Sequence, residues 1–259
     1  MKIWIVALFC LLFSAPIGCA ASQSEEEFAK ILRRVLKNHP EIVLEVLREH
    51  SENVLDIAQQ GSHVRRKKNM EHQWREDLKQ PKSVTTTNRP VLGPANAPVT
   101  VIAFSDFTCP YCQQAAEVLD RIMQARPQDV KLIFKHMPHG KDSPARLASE
   151  YFVAASFQND RAPWLLYKSF FAEPEKLSAE AQNFAAKAAE QSGLDMKKLA
   201  ADLKNKKVNA IIEEDMADAK KLNVEGTPYF LVNNLTVRGA VAYDLFNAAV
   251  DMALANIKK

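Results

Sequence analysis

Two thiols stand two residues apart in the run Thr108-Cys109-Pro110-Tyr111-Cys112. Cysteines at that spacing can close a small disulfide, exchange it with another chain's, or share a soft metal ion. The residues before them, Val99-Thr100-Val101-Ile102-Ala103-Phe104, have the composition of a buried strand, and Ala115 to Ala125 after them repeats like an amphipathic helix. A strand-to-helix junction places the first cysteine beside unpaired backbone N–H groups and the positive end of the helix dipole, which favour a thiolate. Cys109 is therefore expected to be the exposed nucleophile. Cys112, one turn along, is expected to be the buried resolving thiol. Pro110 at the first helical position loses no hydrogen bond and fixes φ, and Tyr111 completes the loop between the thiols. A zinc site would need four ligands, with His136 and His139 as the nearest candidates. Their spacing from Cys112, with a strand between, argues against that, and neither a metal nor a cofactor is expected.

Thr227-Pro228 is the second element with chemical meaning. It follows Gly226 and opens the apolar run Tyr229-Phe230-Leu231-Val232. A proline there is a candidate for a cis peptide bond. Backbone groups presented beside the thiols would let a client strand pair with them.

The compartment follows from the cysteine usage. The chain has 259 residues and four cysteines, too few for a disulfide-stapled scaffold. Lys2, the apolar stretch Ile3 to Phe13 and the small residues Ser14, Ala15, Gly18, Ala20 and Ala21 read as an export signal over residues 1–20. The apolar stretch is shorter than the roughly 20 residues that span a bilayer. Gly18-Cys19 also suits lipidation at Cys19, although Pro16 stands where such signals usually carry leucine. Removal of residues 1–20 takes Cys10 and Cys19 away and leaves Cys109 and Cys112 as the thiols of an exported chain, a pattern for redox chemistry. The net charge of +3 and the absence of a concentrated basic face give no reason to expect nucleic acid as a partner. Seven glycines and a 47% hydrophobic composition exclude collagen-like and low-complexity classes.

The remaining elements must hold the site. Residues 21–82 read as a helical arm. Ser24 and Glu27 form a capping box, and Phe28, Ile31, Leu32, Val35 and Leu36 recur at helical spacing. Asn38-His39-Pro40 should stop that helix. A second helix should run from Ile42 through Ile57 to a break at Gly61-Ser62. A third, about 63–80, carries Met70, Trp74 and Leu78, with Arg65-Arg66-Lys67-Lys68 as a solvated face. The apolar stripes need a partner, and self-association is expected because the following domain looks complete alone. Residues 83–95 read as a proline-rich linker in which Val91-Leu92 can pair as an edge strand. Residues 96–259 then follow the order strand, C-x-x-C, helix, strand, a helical block over about 141–222, then proline, strand, strand, helix. The expected fold is α/β, a small sandwich split by an inserted helical domain. Asn233-Asn234 should be a hairpin turn, a better explanation of Asn234-Leu235-Thr236 than a glycosylation sequon.

Pro98-Val99-Thr100-Val101, Phe104-Ser105-Asp106-Phe107-Thr108-Cys109-Pro110-Tyr111-Cys112 and Gly226-Thr227-Pro228-Tyr229-Phe230-Leu231-Val232-Asn233 together resemble the DsbA-like thiol–disulfide oxidoreductases of the thioredoxin superfamily. The resemblance covers about residues 90–259. It implies a thioredoxin fold with an inserted helical domain, Cys109 as nucleophile, Cys112 as resolving cysteine, and Thr227-Pro228 as the cis-proline loop that binds substrate. The segment from Leu32 to Arg48 is similar to the N-terminal arm of Com1-like and ScsC-like members, some of which oligomerise through it. Pro-Tyr between the cysteines and a threonine before the proline are similar to isomerase-type relatives. One departure stands out: many members carry a buried acid six residues before the nucleophile, assisting proton transfer from the buried thiol, and here that residue is Ala103. Asp106 is given no role, because strand alternation sets it on the face opposite Ala103.

The resemblance implies periplasmic thiol–disulfide exchange on unfolded or misoxidised secreted proteins. The leading expectation is a disulfide isomerase or oxidoreductase working through a mixed disulfide at Cys109. It would be kept reduced by a DsbD-like membrane partner and assembled as a homo-oligomer so that several sites face one client. The alternative is a DsbA-type dithiol oxidase served by a DsbB-like partner. A further alternative is a Cu(I)-binding copper-tolerance protein.

Overall fold

The computed structural model describes the backbone of residues 19–257 and side chains from Ser24 onward. Most of the export signal, Cys10 and the Cys19 side chain lie outside the described residues. The chain divides into two compact units, residues 1–64 and 65–259.

The described part of the first unit is helical. Helix α1 spans Cys19–Asn38, α2 spans Pro40–Glu49, and α3 (Ser51–Asp77) runs on into the second unit. Ser24 and Glu27 lie inside α1 and so do not cap its start. Pro40 divides α1 from α2, as its missing N–H requires. The break expected at Gly61-Ser62 is not there. α3 is continuous through it, and the chain breaks at His50 instead. One glycine costs a solvated helix about 1 kcal/mol, which a 27-residue helix tolerates. Within this unit Phe28 is 66% exposed, and Ile31, Leu32, Ile42, Val46 and Leu55 are also exposed.

The second unit is built on a five-stranded sheet in the order β1–β3–β2–β4–β5. The strands are β1 (Val91–Leu92), β2 (Val99–Ser105), β3 (Val130–His136), β4 (Tyr229–Val232) and β5 (Leu235–Arg238). β2 and β3 are parallel and the other pairs antiparallel. α4 (Pro110–Ala125) connects β2 to β3. The helical block consists of α5 (Pro144–Ser156), α6 (Ala162–Ala172), α7 (Pro174–Ala179), α8 (Ala181–Gln191), α9 (Met196–Asp202) and α10 (Lys206–Lys221), and α11 (Tyr243–Ile257) closes the chain. This is a thioredoxin fold with a helical insertion between β3 and β4.

β2 is central and buried on both faces, which is why it reads as an unbroken apolar run. Val99, Val101 and Ala103 join the core formed with α4, α11 and the helical block. Ile102 and Phe104 face the other way, into a smaller cluster with Ile133, Tyr229, Leu231 and Ala219 of α10.

The C-terminal end of α3 covers the outer edge of β5. Trp74, fully buried, donates from Nε1 to the Thr236 carbonyl at 2.8 Å, and Asp77 accepts from the Thr236 N–H at 2.8 Å. Those backbone groups would otherwise form an open edge. Asn234, at the hairpin turn, accepts from the Lys82 N–H at 2.7 Å and donates to the Gln80 carbonyl, so its side chain is committed to this strap. Residues 65–82, read above with the arm, thus pack with the second unit.

Residues 83–95 are likewise tied down. Lys135 of β3 is fully buried and pairs with Asp218 at 2.6 Å and Asp215 at 3.0 Å, both on α10. Arg89 reaches Asp215 at 2.8 Å, and Asp218 accepts from the Thr85 N–H at 2.7 Å. The second oxygen of Asp215 accepts from the His136 N–H at 2.9 Å. A buried charge is tolerable only when its partners are in place. Asp215→Ala leaves Lys135 and Arg89 short of their shared anion, and we expect a loss of about 3–5 kcal/mol, read as a lowered urea midpoint. A midpoint unchanged from wild type would contradict this account of the strap.

Candidate active site

The loop between β2 and α4 is shaped by Asp106. One carboxylate oxygen accepts from the Thr108 N–H and hydroxyl, each at 2.7 Å, and the other from the His139 N–H at 2.8 Å. The Cys109 N–H donates to the Asp106 carbonyl at 3.2 Å. Asp106 is buried and organises the turn that delivers Cys109. This corrects the sequence expectation. β2 ends at Ser105, so strand alternation does not govern the next residue.

Cys109 is the N-cap of α4, in extended backbone geometry, with Pro110 as the first helical residue. Its carbonyl accepts from the N–H groups of Cys112 (3.0 Å) and Gln113 (3.1 Å), starting the helical ladder. Cys109 is half-buried and Cys112 is 1% exposed. Tyr111, between them, is 63% exposed and presents its ring to solvent. The Thr227–Pro228 bond is cis, and the Cys109 thiol approaches the Thr227 carbonyl at 3.6 Å. Cys109, Pro110, Tyr111, Cys112, Thr227 and Pro228 therefore form one constellation, although the two motifs lie over a hundred residues apart. Gln113 donates to the Phe171 carbonyl at 3.0 Å, which ties the first turn of α4 to α6.

Burial pushes the Cys112 thiol up to about 12, with the nearby Cys109 a smaller contributor in the same direction. Hydrogen bonds from the Ser105 and Thr227 hydroxyls and the Asp106 N–H oppose that rise. At neutral pH Cys112 is a thiol. Beneath the loop, Phe107 is fully buried and stacks on Phe134 at 4.7 Å between ring centroids, with Phe170 and Phe171 near 5 Å. This aromatic packing excludes water from the inner side of the site and accounts for the desolvation.

Ser105 was not singled out from the sequence, and His136 was weighed there only as a zinc ligand. Ser105 had a visible signal, since alternation puts it on the face of Ala103. His136 pairs with Ser105 in the β2–β3 register and is buried against Phe134 and Phe152. Burial holds its pKa well below 6.5, and the charges of Arg89, Arg146 and Lys135 act in the same direction.

Comparison with known proteins agrees with this geometry. The family described as Thioredoxin matches residues 85–252. A Na(+)/H(+) antiporter, NhaA 3 of Salinispora tropica, is 31% identical over 170 residues, or 65% of this chain, but the match spans only 25% of the antiporter's length. Disulfide bond formation protein D of Bacillus subtilis is 27% identical over 176 residues, covering 64% of this chain and 77% of that protein. A periplasmic thioredoxin-like protein from Salmonella enterica serovar Typhimurium superposes with a TM-score of 0.57 at 25% identity, over 65% of this chain and 91% of its own. The fold and its paired cysteines define a dithiol protein of the thioredoxin class. The chain belongs to the thioredoxin family.

His136 makes stability depend on pH. Its folded pKa is depressed, so below about pH 6.5 the unfolded chain takes up a proton that the native state refuses. The contribution is complete above pH 6.5 and is lost as pH falls below it, at up to about 1.4 kcal/mol per pH unit. The carboxylates with lowered values, Glu76, Asp77 and Asp218, act only below about pH 4.5. We expect the urea midpoint to fall between pH 7.5 and 5.5, and the fall to flatten in His136→Leu whatever that variant's stability at pH 7.5. Parallel slopes for the two proteins would refute the assignment.

Proposed function

We propose that this protein catalyses thiol–disulfide exchange on exported proteins in the periplasm, as a disulfide isomerase or oxidoreductase acting through a mixed disulfide at Cys109. The observation that carries the proposal is the inequality of the two thiols. Cys109 is reachable at the start of a helix, beside the Thr227 carbonyl, whereas Cys112 is buried and protonated. In the first step the Cys109 thiolate attacks a client disulfide, forming a Cys109–client bond and releasing the other client sulfur as a thiolate. In isomerisation a second client thiolate attacks the client sulfur of the mixed disulfide, and Cys109 leaves reduced. In the resolving step Cys112 attacks Cys109, which frees the client and leaves the Cys109–Cys112 disulfide.

Pro110 and Tyr111 form the rim of the loop, and Thr227 and Pro228 the edge on which a client's extended backbone lies. The helical arm supports the isomerase direction. Its exposed apolar residues suit self-association, as the resemblance to ScsC-like and Com1-like members implies, and an assembly faces one client with several thiols. A DsbD-like membrane reductase would keep Cys109 reduced. The export signal read over residues 1–20 supports the compartment. The second reading is a dithiol oxidase recharged by a DsbB-like partner. It is favoured by the likeness to a protein named for disulfide bond formation.

The test is refolding of scrambled ribonuclease, with client trapping. Cys109→Ser should abolish activity and trap nothing. Cys112→Ser should accumulate a client disulfide at Cys109, because the resolving thiol is gone. Cells grown aerobically then report direction: a mainly reduced Cys109–Cys112 pair supports the isomerase, a mainly oxidised pair the oxidase. Activity surviving in Cys109→Ser would overturn both readings.

A further inference from the structure

Hydroxyls, not a carboxylate, surround the resolving sulfur. Ser105 ends β2 on the face shared by Val101 and Ala103, which packs against α4, and it is 5% exposed. Its carbonyl accepts from the Met137 N–H at 2.9 Å, which fixes the strand end. Its hydroxyl, the Thr227 hydroxyl and the Asp106 N–H each favour the anionic form of the Cys112 sulfur against the effect of burial. The Asp106 carboxylate is committed to Thr108 and His139. Ala103, two residues before Ser105 on the same face, carries no group that can take or give a proton. Among the described residues, the titratable groups that act on or feel the charge of this sulfur are Cys109, the N-cap of α4, and Tyr167, on α6. Tyr167 is a buried phenol that stays protonated, because burial raises it first and the charges of Asp120 and Cys112 add to that.

We propose that Ser105 is a positioning residue for the resolving step, its hydroxyl hydrogen-bonding the Cys112 sulfur as that sulfur becomes the attacking anion. The inference rests on the reading of Cys109 as nucleophile and Cys112 as resolving thiol. In that step the Cys112 sulfur forms a bond to Cys109 and the Cys109–client bond breaks. The bonding pair leaves on the client sulfur, which is reduced as Cys112 is oxidised. The proton given up by Cys112 is balanced by the one the departing client thiolate takes. A hydrogen bond to a charged sulfur in a water-poor site is stronger than one to a neutral thiol. Ser105 therefore lowers the cost of the anion without accepting the proton itself. Thr227 supplies the second hydroxyl from a different element, while its carbonyl faces Cys109.

The experiment mixes the reduced full chain with Ellman's reagent in a stopped-flow instrument between pH 6 and 9. The first release of thionitrobenzoate reports attack by Cys109, and the second reports attack by Cys112 on the mixed disulfide. Ser105→Ala should slow the second release about tenfold at pH 7, and shift its pH profile up by about one unit. The first release should be unchanged, which also shows that the variant is folded. Ser105→Thr, which keeps a hydroxyl, should resolve within about twofold of wild type, and Thr227→Val should act in the direction of Ser105→Ala. A second release in Ser105→Ala with the wild-type rate and pH profile overturns the proposal, as does equal slowing in Ser105→Thr. Wild-type protein that releases a single equivalent would instead overturn the dithiol reading, a result distinguishable because it appears before any substitution is made.

Discussion

The unequal burial of two neighbouring sulfurs is the constraint on which the rest of the structure depends. A helix start can present one thiol to solvent, but it leaves the residue one turn on wherever the helix packs. Here α4 and the face of β2 that carries Val101 and Ala103 share one buried core, and Cys112 lies in that core. Desolvation keeps that sulfur protonated. The order of events in exchange then follows: the reachable sulfur reacts first, and the hidden one acts only on a disulfide held directly above it.

The opposite face of the sheet solves a different problem. Segment 83–90 has little apolar surface to anchor it, and charge does the anchoring. Asp215 and Asp218, one turn apart on α10, receive Lys135 from the sheet and Arg89 and Thr85 from the segment. Asp215 also accepts the His136 N–H, and His136 is the register partner of Ser105. The charged network and the thiol site thus share the ends of two adjacent strands, with the cations turned away from the sulfur. This separation matters because a cation beside Cys112 would lower its pKa and remove the inequality between the thiols.

Much of this was legible in the sequence, and the parts that were not have definite causes. The C-x-x-C between an apolar strand and a helix, and Thr227-Pro228 before another strand, carry local signals strong enough to place the site and the fold around it. The charged anchor left a partial trace. Val208, Ile212, Asp215 and Ala219 recur at helical spacing, so an acid stands in an apolar stripe, and Lys135 directly follows the apolar run Leu132-Ile133-Phe134. Either one signals a buried charge needing a partner. That they partner each other is a matter of tertiary placement, which spacing along the chain does not contain. Gly61 misled because a helix breaker acts through a small local cost, whereas α3 is set by its whole length. Asp106 misled because a period-two argument was carried one residue past the end of the strand.

The same alternation, applied inside the strand, leads to the remaining feature of the site. If Ala103 marks the position where relatives carry an acid, the next residue on that face is Ser105, and it reaches the sulfur an acid would serve. A carboxylate there would accept the proton of Cys112 but would introduce a second negative charge beside the anion it helps to make. A hydroxyl leaves the proton to find the departing client thiolate, yet it donates to the anion and adds no charge to a water-poor interior. The two solutions place opposite demands on the surroundings. The acid needs polar neighbours to remain ionised, whereas the hydroxyl tolerates the close aromatic packing of Phe107, Phe134, Phe170 and Phe171 found beneath this loop. Ala103 and that aromatic cluster are thus mutually consistent: with no charge to solvate under the site, the core can close up to the sulfur.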